Sequence, residues 1–430
     1  MLPEIKKTLD LEKQQIWLSN IIAVSGDVVM RFVFGSLTDR WGSRILMGGV
    51  LMAASIPTAC TGFVNSLLGL CFLRLFIGCA GSSFVMCQCW ATRMFTKEIV
   101  GTANALVGGW GNVGGGVTQI VMGTALFPLF RDVFFADAED PSERAWRTVC
   151  VVPAIVAFAT GVIVITTSED CPEGNYKQLI KEGRMTPISA GASLRQGAVN
   201  FNTWLLYIQY GCCFGVELTM NNAAASYFVD KFELSTSTAA AIASIFGFMN
   251  IFARGLGGYF SDMANEKVGM KGRIWVQLIL LLLEGLCILI FAVMESLWSA
   301  ILLLTIFSIF VQGAEGSTYG IVPYVNPVAP GAVAGIVGAG GPSGAIAFGL
   351  GFLFLAKTQH AYFLMGALVI LSSISCLLIN IKGHGGILFT DKDGSPMQAL
   401  QVPVADKEDA KKLEDDGSEE DDVKKVEETV

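Results

Sequence analysis

The 430-residue chain is 53% hydrophobic and only 15% charged, with a formal net charge of −8 and a mean hydropathy of +0.56. That balance excludes an ordinary soluble domain and describes a membrane protein. The acidity is local: residues 401–430 hold 12 Asp/Glu against 5 Lys, so it belongs to a tail and points to no acidic or basic ligand and to no nucleic acid. Eleven cysteines, most inside apolar runs, lack metal-ligand or disulfide-framework spacing, and the two histidines, His360 and His384, are too few for a histidine metal site or a His-based triad. Composition therefore predicts no enzyme, no metal and no cofactor.

In chain order, "MLPEIKKTLDLEKQQ" is too charged for a signal peptide. Apolar stretches long enough to cross a bilayer follow at about 15–37, 45–64, 67–91, 98–126 and 148–167, then at 201–229, 237–260, 273–294, 297–320, 328–355 and 359–381. Eleven spans in groups of five and six predict an all-α polytopic protein of two helical halves. The odd count predicts that the first of twelve helices is missing and that residues 1–14 are the loop after it. The halves are 1–167 and 201–382, joined by a polar linker at 168–200 that holds Lys177, Lys181, Arg184 and Arg195. Placing that linker in the cytoplasm puts Arg40, Arg44, Arg93, Lys97, Lys267, Lys271, Arg273 and Lys382 on the same side, the sign of the positive-inside rule. The charged end, residues 383–430, with a single Phe among its residues, then reads as a disordered cytoplasmic tail.

The halves repeat. "RFVFGSLTD" spaces Arg31, Gly35 and Asp39 by four, and "RGLGGYFSD" spaces Arg254, Gly258 and Asp262 likewise; "GWGNVGGG" (109–116) has a glycine-rich counterpart in "GAGGPSGA" (338–345). Repeated halves predict a ligand site at their interface. Arg31 and Arg254 lie deep in their spans, where a charge costs at least ~2.5–3.5 kcal/mol on insertion scales and so faces a water-filled pathway or a partner. Asp27, one turn before Arg31, is the one carboxylate within these two spans placed to pair with either. Two guanidiniums meeting at a pseudo-symmetry axis suit an intervening planar oxyanion.

"GSLTDRWGSR" (35–44), with Gly35, Asp39, Arg40, Gly42 and Arg44, resembles the loop between the second and third helices of major facilitator superfamily transporters, which implies a conformational role for it and for Asp262 in the second copy. "GGWGNVGGG" resembles the nitrate signature in the fifth helix of the nitrate/nitrite porter family within that superfamily, and "GAGGPSGAIAFG" the copy in the eleventh. With "AEGSTYGIVPYV", the resemblance covers all eleven spans and is strongest to the eukaryotic high-affinity nitrate transporters.

What the resemblance implies is nitrate import, with nitrite as a second substrate, by alternating access at the plasma membrane, as a cation-coupled symport using protons or sodium and with an accessory membrane subunit as a possible partner. A porter for another small anion and a nitrate sensor that keeps the fold stand as alternatives. Arg31 and Arg254 would clamp the anion and Asn112 would add an amide. Gly109, Gly111, Gly114, Gly115, Gly340, Gly341 and Gly344 would let helices pack closely and slide. Tyr207 or Tyr210, three residues apart, would donate a hydroxyl, with Tyr207 slightly favoured. Phe84 and Tyr319 would flank the substrate plane, and Gln119, about two turns after Asn112, is a further candidate. Arg74 in "LRLFIGCAG" resembles a motif of proton-coupled members. Glu217, Glu284 and Glu315 fall within spans as titrating groups or helix-end residues. Pro342 stands where many family members keep a second asparagine, which argues against a symmetric two-asparagine site.

Overall fold

The computed structural model describes residues 2–186, 188–355 and 357–389, without the side chains of residues 2, 3, 13, 17, 119, 124, 236 and 237. Long helices dominate: α1 (Gln14–Trp41), α2 (Ser43–Phe63), α3 (Leu67–Met94), α4 (Val100–Phe134) and α5 (Pro141–Thr167). After the polar connection come α6 (Phe201–Phe232), α7 (Thr238–Val268), α8 (Met270–Ala292), α9 (Leu297–Val325), α10 (Pro330–Phe354) and α11 (Thr358–Leu378). Helices suit this solvent because they satisfy their own backbone groups, which hydrocarbon cannot.

Ten of the eleven are long and apolar enough to cross a membrane by length and composition. The remaining expected span, 201–229, is α6, a 32-residue helix that falls outside that set because Asn202, Gln209, Glu217, Asn221, Asn222, Asp230 and Lys231 interrupt its apolar run. Its buried face, including Gln209, Tyr210, Phe214 and Glu217, points into the protein. The stretch expected as a loop at 1–14 instead contains a helix, Leu2–Thr8. Ile5 and Leu11 pack there into a cluster with Leu70 and Trp146, and the Trp146 indole donates to Thr8 Oγ1 at 3.0 Å. The polar connection carries two short helices, Tyr176–Lys181 and Ala190–Val199. Of the expected tail, residues 390–430 lie outside the described residues.

Packing positions the site. Within the first group, α2 lies on α5 and α1 on α3; within the second, α6 lies on α10, α8 on α11 and α7 on α9. The groups meet where α1 crosses α10 and where α4 crosses α7 and α9. Both crossings depend on missing side chains. A Cβ on Gly35 of α1 would lie 2.6 Å from the Gly331 carbonyl, and one on Gly258 of α7 would lie 2.3 Å from the Gly101 carbonyl.

Candidate functional site

The repeated aspartates sit beside these crossings, each reaching into the opposite group. Asp39 accepts from the backbone N–H groups of Gly331 and Ala332 at 2.8 and 2.9 Å and from the Ser193 hydroxyl at 2.7 Å. Asp262 accepts from the N–H groups of Gly101 and Thr102 at 3.1 and 2.6 Å, from the Thr102 hydroxyl at 2.6 Å and from Arg273 at 2.7 Å. Gly331 and Gly101 begin α10 and α4, so each carboxylate satisfies otherwise orphaned helix N–H groups and meets the positive end of a helix dipole. These two contacts tie the two groups of helices together at their crossings.

The rest of the first motif shapes the turn after Asp39. Gly42 takes φ +86°, where a side chain would be strained, and a Cβ there would strike the Asp170 carboxylate. Asp170 in turn accepts from the Arg44 backbone at 2.9 Å. Arg40 lies 5.7 Å over the Trp41 ring.

Arg31 and Arg254 come together around one ring. Their guanidinium carbons lie 5.0 and 5.4 Å from the Phe84 centroid and 5.7 and 5.9 Å from that of Phe214. Phe84 stacks on Tyr210 and Phe214 at 6.1 and 6.3 Å and meets Tyr319 edge-on at 5.2 Å. Both arginines are buried, Arg31 at 3% exposure and Arg254 at 0%. The result is an aromatic cage with a cation from each half, and cation–π attraction is strongest where water is excluded.

Neither arginine is bare. Arg31 Nε donates to Asp27 at 2.8 Å, the partner visible in the sequence. Arg254 Nη1 donates to Glu315 of α9, a partner that a separation of 61 residues conceals, and its Nη2 donates to the Tyr210 hydroxyl at 2.9 Å. Among the described residues, Arg254 Nε has no partner.

Arg31 Nη1 donates to the Gly338 carbonyl at 2.8 Å, and the sequence departure at Pro342 accounts for that bond. In a regular helix the Gly338 carbonyl accepts from the N–H of residue 342. Proline has none, so the carbonyl is left for Arg31.

The other candidates divide. Tyr210, not the favoured Tyr207, reaches Arg254. Tyr207 packs against Trp204 at 5.5 Å and lines an outer groove between α6, α10 and α11, because successive positions three apart face different neighbours. Tyr319 donates to the Ala334 carbonyl at 3.2 Å. Asn112 donates to Glu217 Oε1 at 3.2 Å, not to an anion position between the arginines, and Asn250 donates to the same oxygen at 2.9 Å. Arg74 donates to Ser19 at 2.6 Å on the α1–α3 contact, away from the cage. The side chain of Gln119 lies outside the described residues.

Of the glycines, Gly340, Gly341 and Gly344 are sealed against α6, and Gly109 lies against the Asn250 carbonyl at 2.6 Å measured from an added Cβ. Gly111, Gly114 and Gly115 do not make the expected close packing: no described atom lies within 4 Å of an added Cβ at any of them, because that face of α4 has no described helix against it. Sequence reasoning missed Phe214, although it lies four residues from Tyr210 and therefore on the same helix face.

A model of the Major Facilitator Superfamily matches residues 1–349. The chain is 35% identical over 390 residues to the High affinity nitrate transporter 2.5 of Arabidopsis thaliana, covering 90% of this chain and 76% of that one. It is 34% identical over 400 residues to the High-affinity nitrate transporter 2.3 of Oryza sativa subsp. japonica, covering 92% and 76%. Among solved structures, the E. coli fucose:proton symporter FucP superposes with a TM-score of 0.63 at 14% identity, covering 87% of this chain and 93% of that one. The chain belongs to the Major Facilitator Superfamily and, within it, to the family of these nitrate transporters; it is an integral, multi-pass membrane protein.

Proposed function

We propose that this member of the superfamily imports nitrate, and with it nitrite, across the plasma membrane as a cation-coupled symporter working by alternating access. The observation that carries the reading is the convergence of Arg31 and Arg254, one from each half, on the ring of Phe84. A planar monoanion fits between flat aromatic faces, and guanidinium forks match its oxygens. The names of the similar plant proteins support nitrate as that anion.

In this reading the halves are residues 1–167 and 201–382, and 168–200 is the cytoplasmic linker. The contacts of Asp39 with α10 and of Asp262 with α4 then close the cytoplasmic end, and their release opens it. Ser193, within the linker, binds Asp39 and so belongs to that closure.

The test is uptake of labelled nitrate by proteoliposomes containing the full-length protein. Saturable uptake that nitrite competes and sulfate does not is the expected result. Equal competition by sulfate would support a porter for other small anions, and saturable binding without uptake would support a sensor.

A further inference from the structure

Beside the cage lies a group of carboxyls for which anion binding alone supplies no role. Glu217 of α6 and Glu315 of α9 are 2% and 0% exposed, and they are neighbours beside the cage, Asn250 donating to Glu217 and Arg254 to Glu315. One oxygen of each, Glu217 Oε2 and Glu315 Oε1, has no donor among the described residues, and the Asn250 carbonyl oxygen beside them is unpartnered as well. Among the described residues, Arg254 donates to Glu315 alone of the pair, while Glu217 accepts from the neutral amides of Asn112 and Asn250.

The charges do not balance. Arg31 and Arg254 face Asp27, Glu217 and Glu315, so two cations neutralise at most two of three carboxylates. A buried charge left uncompensated is expensive, and two neighbouring carboxylates with no donor between them repel. A proton on one of them removes both penalties.

The groups around Glu315 leave no other source of charge. They are Glu217, Tyr210 and Cys213 on α6, Arg254 on α7 and Glu284 on α8; α10 and the stretch 100–120 of α4 carry no titratable residue. Glu284 adds a fourth buried carboxyl, also with neither oxygen partnered among the described residues.

Glu315 also occupies the Arg254 donor that an incoming anion would use. We propose that Glu315, paired with Glu217, is the proton site of transport, and that its protonation releases Arg254 to bind the substrate anion. The inference rests on the anion reading above and names its coupling ion. The balance is simple: one proton bonds to a Glu315 oxygen, the ion pair with Arg254 breaks, and one monoanion replaces the carboxylate on the guanidinium. The cluster keeps its net charge, so both species load together and leave together.

The experiment is nitrate binding to the purified full-length protein between pH 5.5 and 8.5, with pH-gradient-driven accumulation in proteoliposomes. In the wild type the affinity should weaken with rising pH, by up to about tenfold per unit where one proton is linked to one anion. Glu315→Gln imitates the protonated side chain: its binding should be flat with pH, and accumulation against a gradient should be lost. Glu217→Gln removes the like charge that favours a proton on Glu315, so the profile should keep its slope and move to lower pH, which a merely structural role would not produce.

A flat wild-type profile, a Glu315→Gln variant that still accumulates nitrate with the pH gradient, or accumulation driven by sodium at constant pH would each overturn the proposal. Binding that is present but independent of pH overturns this inference and leaves the anion reading standing. Absence of nitrate binding at every pH overturns both. The wild-type and Glu217→Gln profiles decide the matter even where Glu315→Gln fails to fold.

Discussion

On α10, a Cβ added at Gly344 would lie 2.1 Å from the Gly211 carbonyl of α6, and one at Gly341 would lie 2.2 Å from the Phe214 ring. On α4, the corresponding positions, Gly114 and Gly111, have no described atom within 4 Å of an added Cβ. The runs correspond from Gly108 and Gly338 onward, and those first glycines do similar work. Gly108 leaves room for Arg254, whose Nε would be 2.8 Å from an added Cβ, while the Gly338 carbonyl accepts from Arg31. Beyond that turn the likeness ends. A run of small residues permits close helix approach; the partner decides whether the approach occurs, and α6 supplies one for α10 alone.

The largest expected effect comes from putting methyl groups into the two runs. Gly344→Ala forces a Cβ onto a backbone carbonyl that cannot swing aside, so α6 and α10 must separate. Overpacking of this kind costs about 1–3 kcal/mol or more, and folded yield and uptake should both collapse. Gly114→Ala gains up to ~1 kcal/mol of helix propensity and meets nothing, so thermal unfolding in detergent should hold or rise. Equal loss in the two variants would show that the face of α4 is as closely covered as that of α10.

The arginines sharpen the comparison next. Arg254 uses two terminal nitrogens on Glu315 and Tyr210 and is fully enclosed. Arg31 relies on Asp27, itself 14% exposed, and on a backbone carbonyl. Lysine keeps the charge and loses the planar fork. Losing a charge-assisted contact in such a site costs on the order of 1.5–3 kcal/mol, or more than tenfold in nitrate affinity. Both lysine variants should show that loss while reaching the membrane, with Arg254→Lys the worse. Wild-type affinity in both would remove the clamp.

Much of this was readable in the sequence, for reasons that can be stated residue by residue. Long apolar runs fix helices wherever the solvent is hydrocarbon, and matched spacing of Arg31 with Asp39 and of Arg254 with Asp262 places two pairs symmetrically. The family resemblance brought in Phe84 and Tyr319. What the sequence hides is rotation and partnership. Tyr207 and Tyr210 differ by about 60° of rotation about the helix axis, which no pattern on a largely buried helix resolves, and Glu315 meets Arg254 only because α7 lies on α9. Glu217 is one of the polar residues that made α6 the least apolar span, so a helix that supplies Tyr210, Phe214 and Glu217 to the site gave the weakest hydropathy signal.

Pro342 offers an effect of opposite signs. Pro342→Ala restores the N–H that a helical Gly338 carbonyl ordinarily accepts, and removes a residue that costs ~3 kcal/mol in a helix interior. The melting temperature should therefore rise. Arg31 must then share its acceptor, and nitrate affinity should fall by severalfold, consistent with about 1 kcal/mol for one hydrogen bond. A variant more stable and equally tight in binding would mean that the Gly338 carbonyl does not position Arg31.

Asn112 holds the matching place in the first run and should give the smallest effect. It keeps its own N–H, so it frees no carbonyl, and its amide reaches Glu217 at 3.2 Å, not an arginine. Asn250 donates to the same oxygen, so Asn112→Ala removes one of two neutral donors. Such a bond contributes about 0.5–1.5 kcal/mol, so by favouring the proton its loss should raise nitrate affinity near neutral pH by less than about tenfold. The pH dependence distinguishes a neighbour of Glu217 from a ligand of nitrate. With a donor to the ionised carboxylate removed, a proton on the Glu217–Glu315 pair is favoured, and the binding profile should move to higher pH. A uniform loss of affinity at every pH, with the profile unmoved, would instead put the Asn112 amide on the anion and restore the symmetry that Pro342 breaks.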